Sequence, residues 1–144
     1  MYDHVAEKLD AGQTVLIDGG TGTDLEKRGA EMVGAAWCAF ATETAPETLA
    51  AVHDDYIVAG AEVIAANTYA TTLPMIEAAG SGKDKWEQLT VQSVEIAKAS
   101  AAKAATPVAV AGSFSVMRPM IQGTDRRDPN YEISDEAERE LLRD

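Results

Sequence analysis

Apolar residues along the chain recur in two rhythms. Short apolar runs, the first largely β-branched, lie within Thr14–Ile17, Glu62–Tyr69 and Val108–Ser113, each bounded by polar or turn residues, which predicts three buried strands. Helical spacing fills the intervals. Val5 and Leu9 share one face of a lead-in helix over Asp3–Ala11 that stops at Gly12. A short polar helix follows the first strand and is closed by Gly29, and Met32–Thr44 is expected to be a loop containing Trp37 and Cys38. Pro46 opens a helix, since its missing N–H costs nothing in a first turn; Leu49, Val52, Tyr56 and Ile57 give it an apolar stripe, and Gly60 ends it. Pro74–Ala79 reads as a helical turn closed by Gly80. Lys83–Ala104 reads as a long alanine-rich helix with Trp86, Leu89, Ser93, Ile96 and Ala97 on its buried side. Met117–Ile133 is irregular, and Ser134 is placed to cap a last helix rich in acids at its start.

Strands alternating with helices imply an α/β fold with a parallel sheet and right-handed crossovers. In such a sheet all carboxyl ends share one rim. Asp18, Asn67 with Thr68, and Gly112 with Ser113 each end an apolar run, so polar tips are expected to gather above a dry sheet, as around a small polar substrate. The same tips also suit strand-end capping with bound water. Asp18 has both readings open: a carboxylate that caps the turn, or one that meets a ligand. Gly19, Gly20 and Gly22 permit the sharp strand-to-helix turn that follows it. A phosphate loop is disfavoured, because Leu25 stands where the dinucleotide fingerprint needs glycine and the P-loop lysine is missing. Asp18 would repel phosphate and suits an ammonium group.

Composition narrows the partners. The chain has 144 residues, enough for one domain with a real core, and a formal net charge of −12 disfavours nucleic acid and anionic membrane. No apolar run approaches the ~18 residues of a membrane span, and the acidic N-terminus does not read as a secretory signal. A cytoplasmic location is expected. Cys38 is the only cysteine, which excludes an internal disulfide or a multi-cysteine metal site within the chain. It reads as a packed loop residue, His53 as a structural histidine in mid-helix and His4 as a surface residue. Arg118 lies within reach of the rim, whereas the Arg126-Arg127 pair reads as solvent-exposed.

Taken together, Leu16 through Gly29 resembles the opening strand and loop of the homocysteine S-methyltransferase family. Trp37-Cys38-Ala39 resembles the tryptophan–serine–alanine of members that use S-methylmethionine. Pro46-Glu47, His53, Tyr56, Ala59-Gly60-Ala61 and Asn67-Thr68-Tyr69-Ala70-Thr71 follow in the family's order, and Ala111-Gly112-Ser113 is similar to its third strand.

The resemblance implies a (β/α)₈ TIM barrel, of which residues 1–144 would supply the first three strands and the helix that follows; a whole barrel takes ~250 residues. It implies transfer of a methyl group, from a sulfonium-type donor such as S-methylmethionine or S-adenosylmethionine, to homocysteine held as its zinc-bound thiolate, giving methionine. Asp18 would bind the homocysteine amino group, while Gly19, Gly20, Asn67 and Thr68 would shape the pocket floor. No catalytic residue and no metal ligand is expected in this stretch: the family's zinc cysteines come from late strands, and Cys38 sits where the family carries serine. The segment Phe114–Pro119 also departs from the family's glycine-proline continuation. Rival readings are a non-catalytic remnant or half-barrel that functions only by pairing with another chain, through self-association or a completing chain, and a small module that binds an amino acid without chemistry.

Overall fold

The structure is a computed structural model that describes residues 2–115 together with Ser134 and Glu136. Helix α1 (Asp3–Asp10) carries Asp3 in its first turn and Lys8 in its last, which complements the helix dipole. It buries no residue, and Leu9 is 60% exposed, so the apolar face expected over Asp3–Ala11 does not meet the core. What ties α1 down is polar: Lys8 pairs with Glu62, whose other oxygen accepts the Leu16 N–H at 3.2 Å. These contacts hold the Glu62 carboxyl below its ordinary range, the lysine being the larger cause.

Helix α2 (Thr21–Lys27) is followed by Gly29 at φ +84°, the left-handed residue that stops it. The segment expected to be loop contains a 3₁₀ turn at Gly34–Ala36 and a short helix α3 (Ala41–Thr44). Helix α4 (Pro46–Val58) starts at its proline and runs out at Gly60, φ +104°. Strand β1 (Val63–Ala65), helix α5 (Leu73–Ala78), helix α6 (Lys83–Ala102) and strand β2 (Ala109–Ala111) complete the described order. The last helix, expected from Ser134, and the three loop arginines lie outside the described residues, apart from Ser134 and Glu136 themselves.

β1 and β2 pair in parallel, Val63 opposite Ala109 and Ala65 opposite Ala111, which makes this an α/β fold. The expected first strand is reduced to a single parallel bridge between Ile17 and Val63. It is also not buried: Leu16 is 53% and Ile17 72% exposed. The reason is geometric. Side chains alternate across a sheet, and Ile64 and Val110 belong to the cluster with Ala97, Val94 and Ile57 from α6 and α4. Ile17 shares its register level with Val63 and so points to the other face, which these helices do not cover.

Two apolar clusters form the interior. Ile64, Ala61, Ala66 and Ala97 join the sheet to the helices. Leu25, Leu49, Val52, Met75, Ile76 and Leu89 join α2, α4, α5 and α6 around the buried Ala36, Cys38, Ala39 and Ala41. The second cluster lies beneath the turn that follows Asp18, and its packing fixes that turn.

Candidate functional site

The carboxyl end of β1 is where the predicted polar tips meet. Asp18 donates its backbone N–H to Val63 O at 3.0 Å, and its Oδ2 accepts the Ala65 N–H at 2.8 Å. The side chain is therefore locked to the strand end by a charge-assisted bond. Burial pushes its carboxyl above the usual range, against the pull of the Ala65 hydrogen bond, and among the described residues no cation pairs with it. A half-buried carboxylate with a neutral donor as its protein partner is an incomplete electrostatic arrangement, and an ammonium or guanidinium ligand would complete it.

Gly19 and Gly20, both exposed, carry the chain from Asp18 into α2. Gly19 is closely packed: a Cβ there would lie 2.7 Å from Tyr56 Oη, so the tyrosine ring would have to shift to admit it. Gly22 is packed as closely, since its Cβ would meet Trp37 Cη2 at 2.7 Å and Cys38 Sγ at 2.9 Å, and one of them would have to move. The turn thus rests directly on two aromatic side chains and a thiol, with no room for a side chain between.

Thr68 and Ser113 meet in a reciprocal pair, the Thr68 hydroxyl donating to Ser113 O at 2.8 Å and accepting the Ser113 N–H at 2.9 Å. The second and third tips are therefore bonded to one another, and the Thr68 hydroxyl proton is engaged. Asn67 is buried and turns inward. Its Nδ2 donates to Cys38 O at 2.9 Å and to Thr42 Oγ1 at 3.2 Å, while the Cys38 thiol donates to its Oδ1 at 3.3 Å. Both amide protons are used, leaving one acceptor site on the oxygen. Thr71 Oγ1 donates to Asn67 O at 2.9 Å and Trp86 Nε1 to Thr71 O at 3.1 Å, extending the network to α6.

Gly19 and Gly20 thus form an exposed edge next to the half-buried Asp18, Thr68 is tied to Ser113 after β2, and Asn67 is buried against Cys38 and Thr42. Tyr56, Trp37 and Thr42 complete the support. Sequence offers Tyr56 as an apolar stripe residue and Trp37 as a loop aromatic, both also carrying the family resemblance, and nothing in local sequence marks which glycine an aromatic ring will cover.

Cys38 is packed, as expected, and burial pushes its thiol up to about 12. A thiol protonated at neutral pH and donating to Asn67 is not disposed to bind metal. His53 is fully buried with neither ring nitrogen bonded, and burial lowers its pKa to about 4. Among the described residues no three His, Cys, Asp or Glu side chains gather as a metal site. The donors among the described residues therefore do not fit a zinc ion. His4, expected at the surface, is half-buried, with Nε2 enclosed and unbonded.

Comparison with known proteins gives a consistent set. The family model for homocysteine S-methyltransferase matches residues 15–143. Homocysteine S-methyltransferase 4 of Zea mays is 38% identical over 89 residues, covering 62% of this chain and 26% of that protein. Selenocysteine Se-methyltransferase of Brassica oleracea var. italica is 40% identical over 88 residues, covering 61% and 25%. The crystal structure of the metallated homocysteine methyltransferase MmuM from Escherichia coli superposes with a TM-score of 0.63 at 31% identity, over 72% of this chain and 38% of that one. The matched region of this chain therefore spans about a quarter of the curated relatives' length.

Proposed function

The chain belongs to the homocysteine S-methyltransferase family, and from that premise we propose that residues 1–144 form the opening arc of a (β/α)₈ barrel and bind the amino-acid end of homocysteine. The reaction served is transfer of a methyl group, from a sulfonium donor such as S-methylmethionine or S-adenosylmethionine, to the homocysteine sulfur. Asp18 takes the substrate ammonium group. The exposed Gly19-Gly20 backbone lets the substrate approach closely, and Thr68 and Asn67 build the floor. The observation that carries this reading is the Asp18 carboxylate: half-buried, fixed by the Ala65 N–H, and lacking a cationic partner among the described residues. The relatives' names support it, because homocysteine and selenocysteine differ at the side chain and share the α-ammonium group that Asp18 would recognise.

Calorimetry on the purified chain tests it with L-homocysteine and N-acetyl-L-homocysteine. L-homocysteine is expected to bind and the acetylated compound, lacking the ammonium charge, to bind at least ~10-fold more weakly, a factor worth about 1.4 kcal/mol. Equal binding of the two would mean that Asp18 does not recognise the ammonium group.

A second reading is favoured by one further observation, the exposure of Leu16, Ile17 and Phe114 on or beside the sheet. Apolar side chains around a short parallel sheet suit association with another polypeptide, either a second copy or a chain that completes the barrel.

A further inference from the structure

The residues beneath the Asp18 turn form a continuous relay. Asn67 grips Cys38 from two directions, by its amide N–H to Cys38 O and by the Cys38 thiol to its Oδ1, and it holds Thr42 with the remaining N–H. Cys38 follows Trp37, the one non-glycine among the described residues with positive φ, at +45°. An L-residue in that region is strained by about 1 kcal/mol or more, and it persists only where its surroundings over-determine it. Those surroundings are identifiable: the Val33 N–H donates to Trp37 O at 2.9 Å on one side, and the Asn67–Cys38 bonds fix the next residue on the other. The strained turn presses the Trp37 ring and the Cys38 sulfur against Gly22, where even a methyl group has no space. Gly22 lies in the first turn of α2, four residues after Asp18, where the Gly19-Gly20 turn that follows the carboxylate runs into the helix.

We infer that Asn67 is a positioning residue, holding the Asp18–Gly22 turn in place through the strained Trp37-Cys38 segment. This rests on the reading of Asp18 as the ligand carboxylate, but it concerns how that carboxylate is held. Cys38 is then the coupling element, and its hydrogen-bonding proton is what matters: serine at this position would keep a donor to Asn67 Oδ1, and alanine would not.

The test follows the Asp18 carboxyl directly, with no ligand, by ¹³C NMR titration of the whole chain, alongside thermal unfolding. Cys38→Ala is expected to loosen the turn, hydrate the carboxylate and shift its midpoint down toward the ordinary carboxylate value. Cys38→Ser is expected to retain the wild-type midpoint. Thr42→Val, which cuts the network at its other end, should shift the midpoint in the same direction and serves if Cys38→Ala does not fold. A lowered unfolding temperature with an unmoved Asp18 midpoint in Cys38→Ala and Thr42→Val would overturn the inference, leaving the network a packing feature. So would Cys38→Ser shifting as far as Cys38→Ala. Neither result depends on whether homocysteine binds, so failure of the amino-acid reading and failure of the relay are separately visible.

Discussion

At the scale of single residues, two titratable groups, the half-buried Asp18 and the fully buried His53, respond to pH in opposite senses. Asp18 has its carboxyl pKa raised by burial, so between the ordinary value of 3.8 and its raised value the folded chain holds a proton that the unfolded chain has lost. Stability from this group is present in acid and is lost as pH rises through that window. Asp18→Asn keeps an oxygen acceptor for the Ala65 N–H and removes the desolvated charge. The variant is expected to unfold at the same or a higher temperature than wild type at pH 7, with the gap closing toward pH 3, while losing ammonium-bearing ligands. Scanning calorimetry at the two pH values checks it, and a lower unfolding temperature at pH 7 would mean that the charge itself supports the turn. His53 runs the other way. Its pKa falls from 6.5 to about 4, so stability present above pH 6.5 is lost as pH drops through that range, at up to about 1.4 kcal/mol per pH unit for one proton. Neither ring nitrogen is bonded in the neutral state, so an apolar replacement removes an unsatisfied buried group. His53→Leu is expected to match or exceed wild-type stability at pH 7, with an advantage that grows between pH 6.5 and 4. Urea unfolding across that range measures it.

At the scale of elements, the longer helices were legible, while the 3₁₀ turn at Gly34–Ala36, the short helix α3 and the strands were less so. Pro46, Gly29, Gly60 and Gly80 punctuate the chain where helices start or stop, and each does its work through local backbone geometry that sequence displays directly. Val15–Ile17 has a strand's composition, yet its pairing depends on neighbours that local sequence does not specify, and it forms one bridge where a ladder was expected. The candidate site divides along the same line. Asp18 was visible because an acid after an apolar run and before glycines is a local pattern. The inward turn of Asn67 was not, since its partners Cys38 and Thr42 lie 29 and 25 residues away in the chain. Gly22 shows the consequence. Sequence marks it as one of several turn glycines, whereas the structure puts Trp37 and Cys38 against it and leaves Gly112 open. Gly22→Ala is therefore expected to lose about 1–3 kcal/mol in urea unfolding, as overpacking does, and Gly112→Ala to change little. Equal effects at the two positions would show that the ring and sulfur move aside freely.

At the scale of the whole molecule, charge and exposed apolar surface oppose one another. A net charge of −12 on 144 residues makes like molecules repel, and repulsion between exposed charges is screened beyond a Debye length of about 10 Å at 0.1 M salt. Ile17, 72% exposed on the sheet face that α4 and α6 leave uncovered, offers an attraction that salt does not weaken. If copies associate through that face, raising salt removes the repulsion and leaves the attraction, so average mass should climb between ~0.02 and ~0.5 M sodium chloride as the Debye length shortens several-fold. Ile17→Lys places a charge where the side chain already meets solvent, so the fold should tolerate it while association is lost. Sedimentation equilibrium distinguishes the outcomes: a salt-driven rise in mass for wild type and none for Ile17→Lys supports association through the sheet. Wild type that stays monomeric at every salt concentration would mean this face does not bind a second copy, and an Ile17→Lys variant that assembles like wild type would move the contact elsewhere on the surface.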